Sequence, residues 1–214
     1  MSLLNDSLSF IKDFIGPMLR LKRKVFFPGI RRRETLAEHI IGLLYFAEFF
    51  VRREKLDLDI HKIREYILAH DMQEPFTPHA QNTGFDICRF GAPPALIRDK
   101  KRVERQALML ICRQFKELDA MTDSNHKYEE QDDDESRFVK ALDALLPMLN
   151  IVLDKGRTNH VDNITFQQWR TDREWRIKQS PPLWKCYKEE VLPLIVKNER
   201  ELFARETAQQ KLPL

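Results

Sequence analysis

Apolar residues recur at spacings of three and four along most of this chain, and that periodicity commits it to helices. Leu36, Ile40, Leu43, Leu44, Ala47 and Phe50 form one stripe, and Ile60, Ile63 and Ile67 a second. Val103, Ala107, Leu110 and Ile111 form a third, and Phe138, Val139, Leu142, Leu145, Leu146 and Leu149 a fourth. Only 6 of the 214 residues are glycine, too few turn-permissive positions for a sandwich of many short strands. None of them stands in a G-x-G or G-x-x-x-x-G-K arrangement, which excludes a P-loop and a dinucleotide fingerprint. The expected class is all-α, with about six main helices.

Punctuation between the stripes sets the boundaries. Leu3 to Ile15 has helical spacing that Gly16-Pro17 is expected to interrupt. A basic stretch follows, Arg20, Lys22, Arg23, Lys24, Arg31, Arg32 and Arg33, with a turn at Pro28-Gly29. Thr35 with Glu38 three residues on is a capping box, opening a helix to about Glu54. The next helix starts near Asp59 and runs towards His70-Asp71, with Pro75 and Pro78 expected to end it. Residues 75–95 hold four prolines and two glycines and read as a long functional loop. A helix over roughly 98–118 is followed by the acidic run Glu129 to Glu135, read as an exposed loop and the first turn of a helix reaching Leu153. A polar stretch with Trp169 and Trp175 leads to a last helix from Pro181-Pro182 to Phe203. Residues 1–160 are expected to form the main domain and 161–214 a helical extension packed on it.

An apolar fraction of 43% suffices for a core, and a net charge of +3 is too small to name a polyanion partner. Cys88, Cys112 and Cys186 are odd in number and far apart, which speaks against a disulfide framework or zinc knuckle and for free thiols. Lys12 and Asp13 come before any long apolar run, and no stretch reaches about 18 apolar residues. Neither a signal peptide nor a membrane span is expected, and the expected address is cytoplasmic.

The informative residues break the hydrophobic pattern from inside it. His39 lies at helical spacing from Leu36 and Leu43, and His70 continues the stripe of Ile63 and Ile67. Asp71 stands one turn beyond Ile67, and Asp143 one turn from Val139 and Leu146. Burying these groups without partners is costly. A shared divalent cation would satisfy all four, in a mixed nitrogen and oxygen site suited to Mn, Fe, Co, Ni or Zn. Single explanations also exist. A core histidine can bond backbone, Asp143 can answer a buried arginine, and Glu38 has its capping role. Spacing alone leaves the metal site open.

Three ordered motifs carry a family resemblance. Ala37-Glu38-His39, Ala69-His70-Asp71-Met72-Gln73-Glu74 and Arg137-Phe138-Val139-Lys140-Ala141-Leu142-Asp143 resemble those of HD-domain metal-dependent phosphohydrolases. The likeness covers roughly residues 18–155 and is nearest to the group of bacterial 5'-deoxynucleotidases and the HD-domain-containing protein 2 type. It implies a helical bundle in which His39, His70, Asp71 and Asp143 hold a divalent metal (Mg joins the ions named above). It also implies that Glu74 is the acid beside the catalytic water. The family's cations before the motif histidine fall at Lys24, with Arg23 beside it, and at Arg32. Where the family has Gly-Asp this chain has Pro78-His79, so His79 is a candidate for the proton-transfer role, for which imidazole is suited near neutral pH.

The resemblance implies a phosphohydrolase acting on small nucleotides, releasing phosphate from ribo- or deoxyribonucleoside 5'-monophosphates. A variant that hydrolyses nucleoside triphosphates is the nearest alternative. A nucleic-acid-binding protein on the same scaffold is the non-enzymatic one, supported by the basic stretch and the Trp- and Arg-rich segment 169–184. Exposed aromatics in the final third also suit a homodimer.

Overall fold

The computed structural model describes residues 2–77 and 94–205. Six helices of ten or more residues dominate the described chain. They are α3 (Leu36–Glu54), α4 (Ile60–Ala69), α5 (Pro94–Gln114), α6 (Asp119–Glu130), α7 (Asp134–Leu153) and α9 (Phe166–Ile177). Shorter helices complete it: α1 (Leu3–Phe10), α2 (Gly16–Arg20), α8 (Arg157–Val161), α10 (Pro181–Cys186), α11 (Leu192–Lys197) and α12 (Glu199–Leu202). The fold is all-α, as the periodicity requires. None of the described helices is long and apolar enough to cross a membrane.

The chain divides into two compact units, Met1–Lys24 with Glu34–Val139, and Val25–Arg33 with Lys140–Leu214. In the first, α3 opens with the expected capping box, Thr35 Oγ1 accepting from Glu38 N–H and Glu38 Oε2 accepting from Thr35 N–H at 2.8 Å. Asp59 caps α4 by accepting from His61 and Lys62 N–H. Beneath the end of α4 lies an apolar cluster of Phe14, Ala69, Met72, Leu108, Ile111 and Phe115. It fixes the height of the chain as it leaves that helix.

In the second unit, Arg33 makes a two-pronged contact with Asp162 at 3.0 and 2.7 Å. The guanidiniums of Arg33 and Arg157 lie 4.8 and 4.2 Å from the Phe26 ring. Trp169 is buried against Phe166 and Phe203, whereas Trp175 is exposed. Gly156 has φ 74°, and an added Cβ would lie 2.4 Å from Leu202 O, so only glycine fits there.

Several expectations are corrected. Gly16-Pro17 does not interrupt the first helix. A π-helical turn over Ile11–Ile15 precedes it, Gly16 N–H bonds Ile11 O, and Pro17 falls in the first turn of α2, where its missing N–H costs nothing. Pro75 does not end α4, which stops at Ala69; Pro75 instead sits in a 3-10 turn, Glu74–Phe76. The turn expected at Pro28-Gly29 is present, and the basic stretch around it carries two paired strands that no periodicity announced, β1 (Lys22–Phe26) and β2 (Arg33–Thr35). Glu129 and Glu130 close α6, a helix whose apolar residues are too sparse to show a stripe. The segment carrying Trp169 is helical, capped by Thr165 and Gln168. Cys112 is a free thiol, 2.8 Å from Thr122 Oγ1. Cys88 and His79 lie outside the described residues, as does most of the 75–95 segment.

Candidate metal centre

The site begins where α4 ends. His70 follows the last helical residue, and its Nδ1 lies 2.7 Å from Ile67 O. A carbonyl only accepts, so Nδ1 carries the proton and Nε2 presents a lone pair. That nitrogen lies 3.1 Å from Asp71 Oδ2, another acceptor. Two lone pairs held this close need a cation between them, either a proton or a metal. A backbone carbonyl on the far nitrogen is the usual way to fix the tautomer and aim of a metal-binding imidazole.

His39 comes from the first turn of α3, which the capping box starts at that register. Its Nδ1 is 3.5 Å from Glu34 Oε1, and the His39 and His70 ring centroids are 5.9 Å apart. Asp143 stands on α7, one turn after buried Val139. One ligand atom from each of His39, His70, Asp71 and Asp143 lies within 4.8 Å of the others. Donors on opposite sides of an ion with bonds of about 2.1 Å stand about 4.2 Å apart, a spacing comparable with that of these four atoms. The histidines are buried and the aspartates half-buried, which leaves the carboxylate side open. Two imidazoles and two carboxylates suit a divalent first-row metal.

Arg23 braces this corner. From β1 its Nε reaches Glu34 Oε1 at 3.3 Å and its Nη1 reaches Asp71 Oδ2 at 3.0 Å. Glu34 is only 1% exposed, so a buried carboxylate ties together the arginine that contacts Asp71 and the ring of His39. Sequence reasoning missed Glu34 because it lies among arginines, in a strand of three residues that exists only through its partner. It also missed Asn125. This buried residue of α6 donates to Ala69 O at 2.7 Å, His70 O at 3.3 Å and Gln73 Oε1 at 3.1 Å. It thereby adds a side-chain donor to carbonyls at the end of α4 that Met72 N–H and Gln73 Nε2 also serve.

Glu74 follows one turn later. Burial, and then the charge of Asp71, push its carboxyl up to about 8. Helix α5 packs against this turn and carries Lys100 and Glu104. Glu38 is occupied by the cap. Lys24 is half-buried beside Arg23, while Arg32 is exposed and donates to Arg33 O at 3.2 Å. The structure therefore brings His39, His70, Asp71 and Asp143 together, with Arg23 touching Asp71.

Solved structures share the architecture. A predicted metal-dependent phosphohydrolase from Magnetospirillum magnetotacticum superposes with a TM-score of 0.69 at 22% identity, covering 94% of this chain and 98% of that one. A protein of Pyrococcus horikoshii gives 0.55 at 17% identity, over 92% and 99% of the two chains. A conserved hypothetical protein of Pyrococcus furiosus gives 0.52 at 15%, over 88% and 99%. No curated protein matches by sequence. The HD-domain family model matches residues 19–184, which reaches beyond the 18–155 of the three motifs into α10. With the His-Asp pair at the end of α4 and that match across most of its length, the chain belongs to the HD-domain family.

Proposed function

We propose that this protein is a metal-dependent phosphohydrolase that releases phosphate from nucleoside 5'-monophosphates. The observation that carries the reading is the convergence of His39, His70, Asp71 and Asp143, with His70 Nε2 facing Asp71 Oδ2 at 3.1 Å. The similar fold of the Magnetospirillum protein, itself described as a predicted metal-dependent phosphohydrolase, supports it.

When bound, a divalent ion supplies Lewis acidity towards water and a phosphoryl oxygen. The residues do the rest. Ile67 O fixes the His70 tautomer, and Arg23 holds Asp71 in place. In this reading Glu74, behind Asp71, stands beside the attacking water and takes its proton when ionised, a fraction that grows as pH rises towards about 8. Lys24 and Arg32 add cationic charge for the phosphate, with Arg23 contributing from behind Asp71. His79 serves the leaving oxygen.

The test is phosphate release from ribo- and deoxyribonucleoside mono- and triphosphates, with manganese or cobalt and with a chelator. Chelator-sensitive orthophosphate from monophosphates is the expected result. Di- or triphosphate from triphosphates would move the substrate to the larger nucleotides. No turnover together with steeply salt-dependent oligonucleotide binding would favour the nucleic-acid reading, although buried Trp169 removes one of its stacking surfaces.

A further inference from the structure

The two cations of the first unit that answer the acids around Asp71 are held in different ways. Arg23 is 15% exposed and is bracketed by Glu34 and Asp71. A guanidinium fixed by two carboxylates stabilises the site but has little freedom to turn to a ligand. Lys100 is placed otherwise. It stands on α5, which packs against the Glu74–Phe76 turn. Its Nζ lies 3.2 Å from Glu104 Oε1 one helical turn on, with the two side chains 31% and 18% exposed.

A Lys–Glu pair at this spacing on an open helix face needs no explanation beyond local stabilisation. This pair does not stand on an open face. Burial lowers the basicity of Lys100, but Glu104, Glu74 and Asp71 together raise it further. The ammonium therefore stands within the electrostatic reach of the metal-ligating corner. Glu104 is pushed up by burial, and Lys100 offsets that. A third carboxylate beside Glu74 and Asp71 adds repulsion, which makes it an unfavourable choice for packing alone. It does suit a residue whose task is to hold a flexible four-carbon cation at the site. A phosphate dianion offers that cation more charge and more oxygens than Glu104 does, and a lysine re-aims readily on its stem.

We infer that Lys100 grips the substrate's phosphate alongside Lys24 and Arg32, with Glu104 holding it on α5 until the phosphate displaces the carboxylate. The inference takes its ligand class from the phosphohydrolase reading, and its test is separable from it.

The test is calorimetric titration of inorganic phosphate into manganese-loaded protein, with metal content measured alongside. Lys100→Met should weaken phosphate about tenfold or more at unchanged manganese content, and Lys100→Arg should retain most of the affinity. Glu104→Gln, which removes the competing charge, should tighten phosphate severalfold. Equal affinity in the wild type and Lys100→Met overturns the proposal, and so does a manganese-loaded wild type that binds no phosphate. Should Lys100→Met fail to fold or to hold metal, Glu104→Gln decides, and unchanged or weaker phosphate binding there overturns the proposal. Turnover of p-nitrophenyl phosphate is read separately. A wild type that binds phosphate through Lys100 yet cleaves no phosphomonoester would sink the hydrolase reading and leave Lys100 in place.

Discussion

Helix α4 carries a polar cluster at each end, and the two are built on opposite principles. Near its start, Lys62 reaches Asp133 at 3.0 Å and Glu135 at 3.2 Å, while Tyr66 Oη donates to Asp133 at 2.7 Å. Asp133 also accepts from Ser136 N–H at 2.7 Å, capping the helix that carries Asp143. Every group there has a complementary partner, and the cluster fastens α7 to α4. At the other end Glu34, Asp71 and Glu74 gather around Arg23, and His70 turns a lone pair towards a carboxylate. One guanidinium there answers two carboxylates. A structural cluster closes its own hydrogen bonds, whereas a site keeps an excess of one kind for a ligand of the other kind.

The largest effect should come from deepening the contrast at the ligand end. Asp71→Ala removes a carboxylate of the cluster and should abolish both bound manganese and phosphate release. Full metal occupancy in that variant would contradict the assignment. Glu34→Gln removes the buried charge that pairs with Arg23 and faces His39. It should weaken manganese by about 10–100-fold and destabilise the fold by about 3 kcal/mol, read by metal titration and urea unfolding. Unchanged metal affinity would reduce Glu34 to a packing role.

His39, His70, Asp71 and Asp143 were legible because each interrupts an apolar stripe, which a folded chain tolerates only with a partner. The helices α3 and α7 were legible for the same reason, and the Thr35 capping box fixed where α3 begins. Arg23 was legible as a cation beside Lys24, but Glu34 and the contacts of Arg23 with Glu34 and Asp71 were hidden, because a two-strand pairing made by three and five residues leaves no period to read. Asn125 was hidden because α6 buries only Asn125 and Tyr128, so no stripe announces the helix. Lys100 and Glu104 look like an ordinary surface pair until the turn at Glu74 is placed beside them.

Smaller effects sharpen the comparison. Asn125→Leu takes away the shorter of two hydrogen bonds to Ala69 O, one of two to His70 O and the donor to Gln73 Oε1, and should cost about 1–3 kcal/mol in unfolding free energy. A neutral outcome would mean that α6 does not secure the end of α4. At the opposite end, burial works against the Asp133 charge, yet Ser136, Tyr66 and Lys62 outweigh it and hold the carboxyl down to about 2. Its folded value lies below the unfolded one of 3.8. Its contribution is therefore present in full above that value and is lost as pH falls through about 2. With the side chain 30% exposed, Asp133→Asn should cost roughly 1–2 kcal/mol at neutral pH, flatten the acid limb of the stability curve, and leave manganese binding untouched. A loss of metal there would show that the two ends are not separate.

The most direct measurement is anomalous diffraction at the manganese edge from crystals grown with manganese. The account predicts one peak about 2.0–2.3 Å from His39, His70, Asp71 and Asp143 together. A peak elsewhere, or none at this corner in manganese-saturated protein, would contradict it.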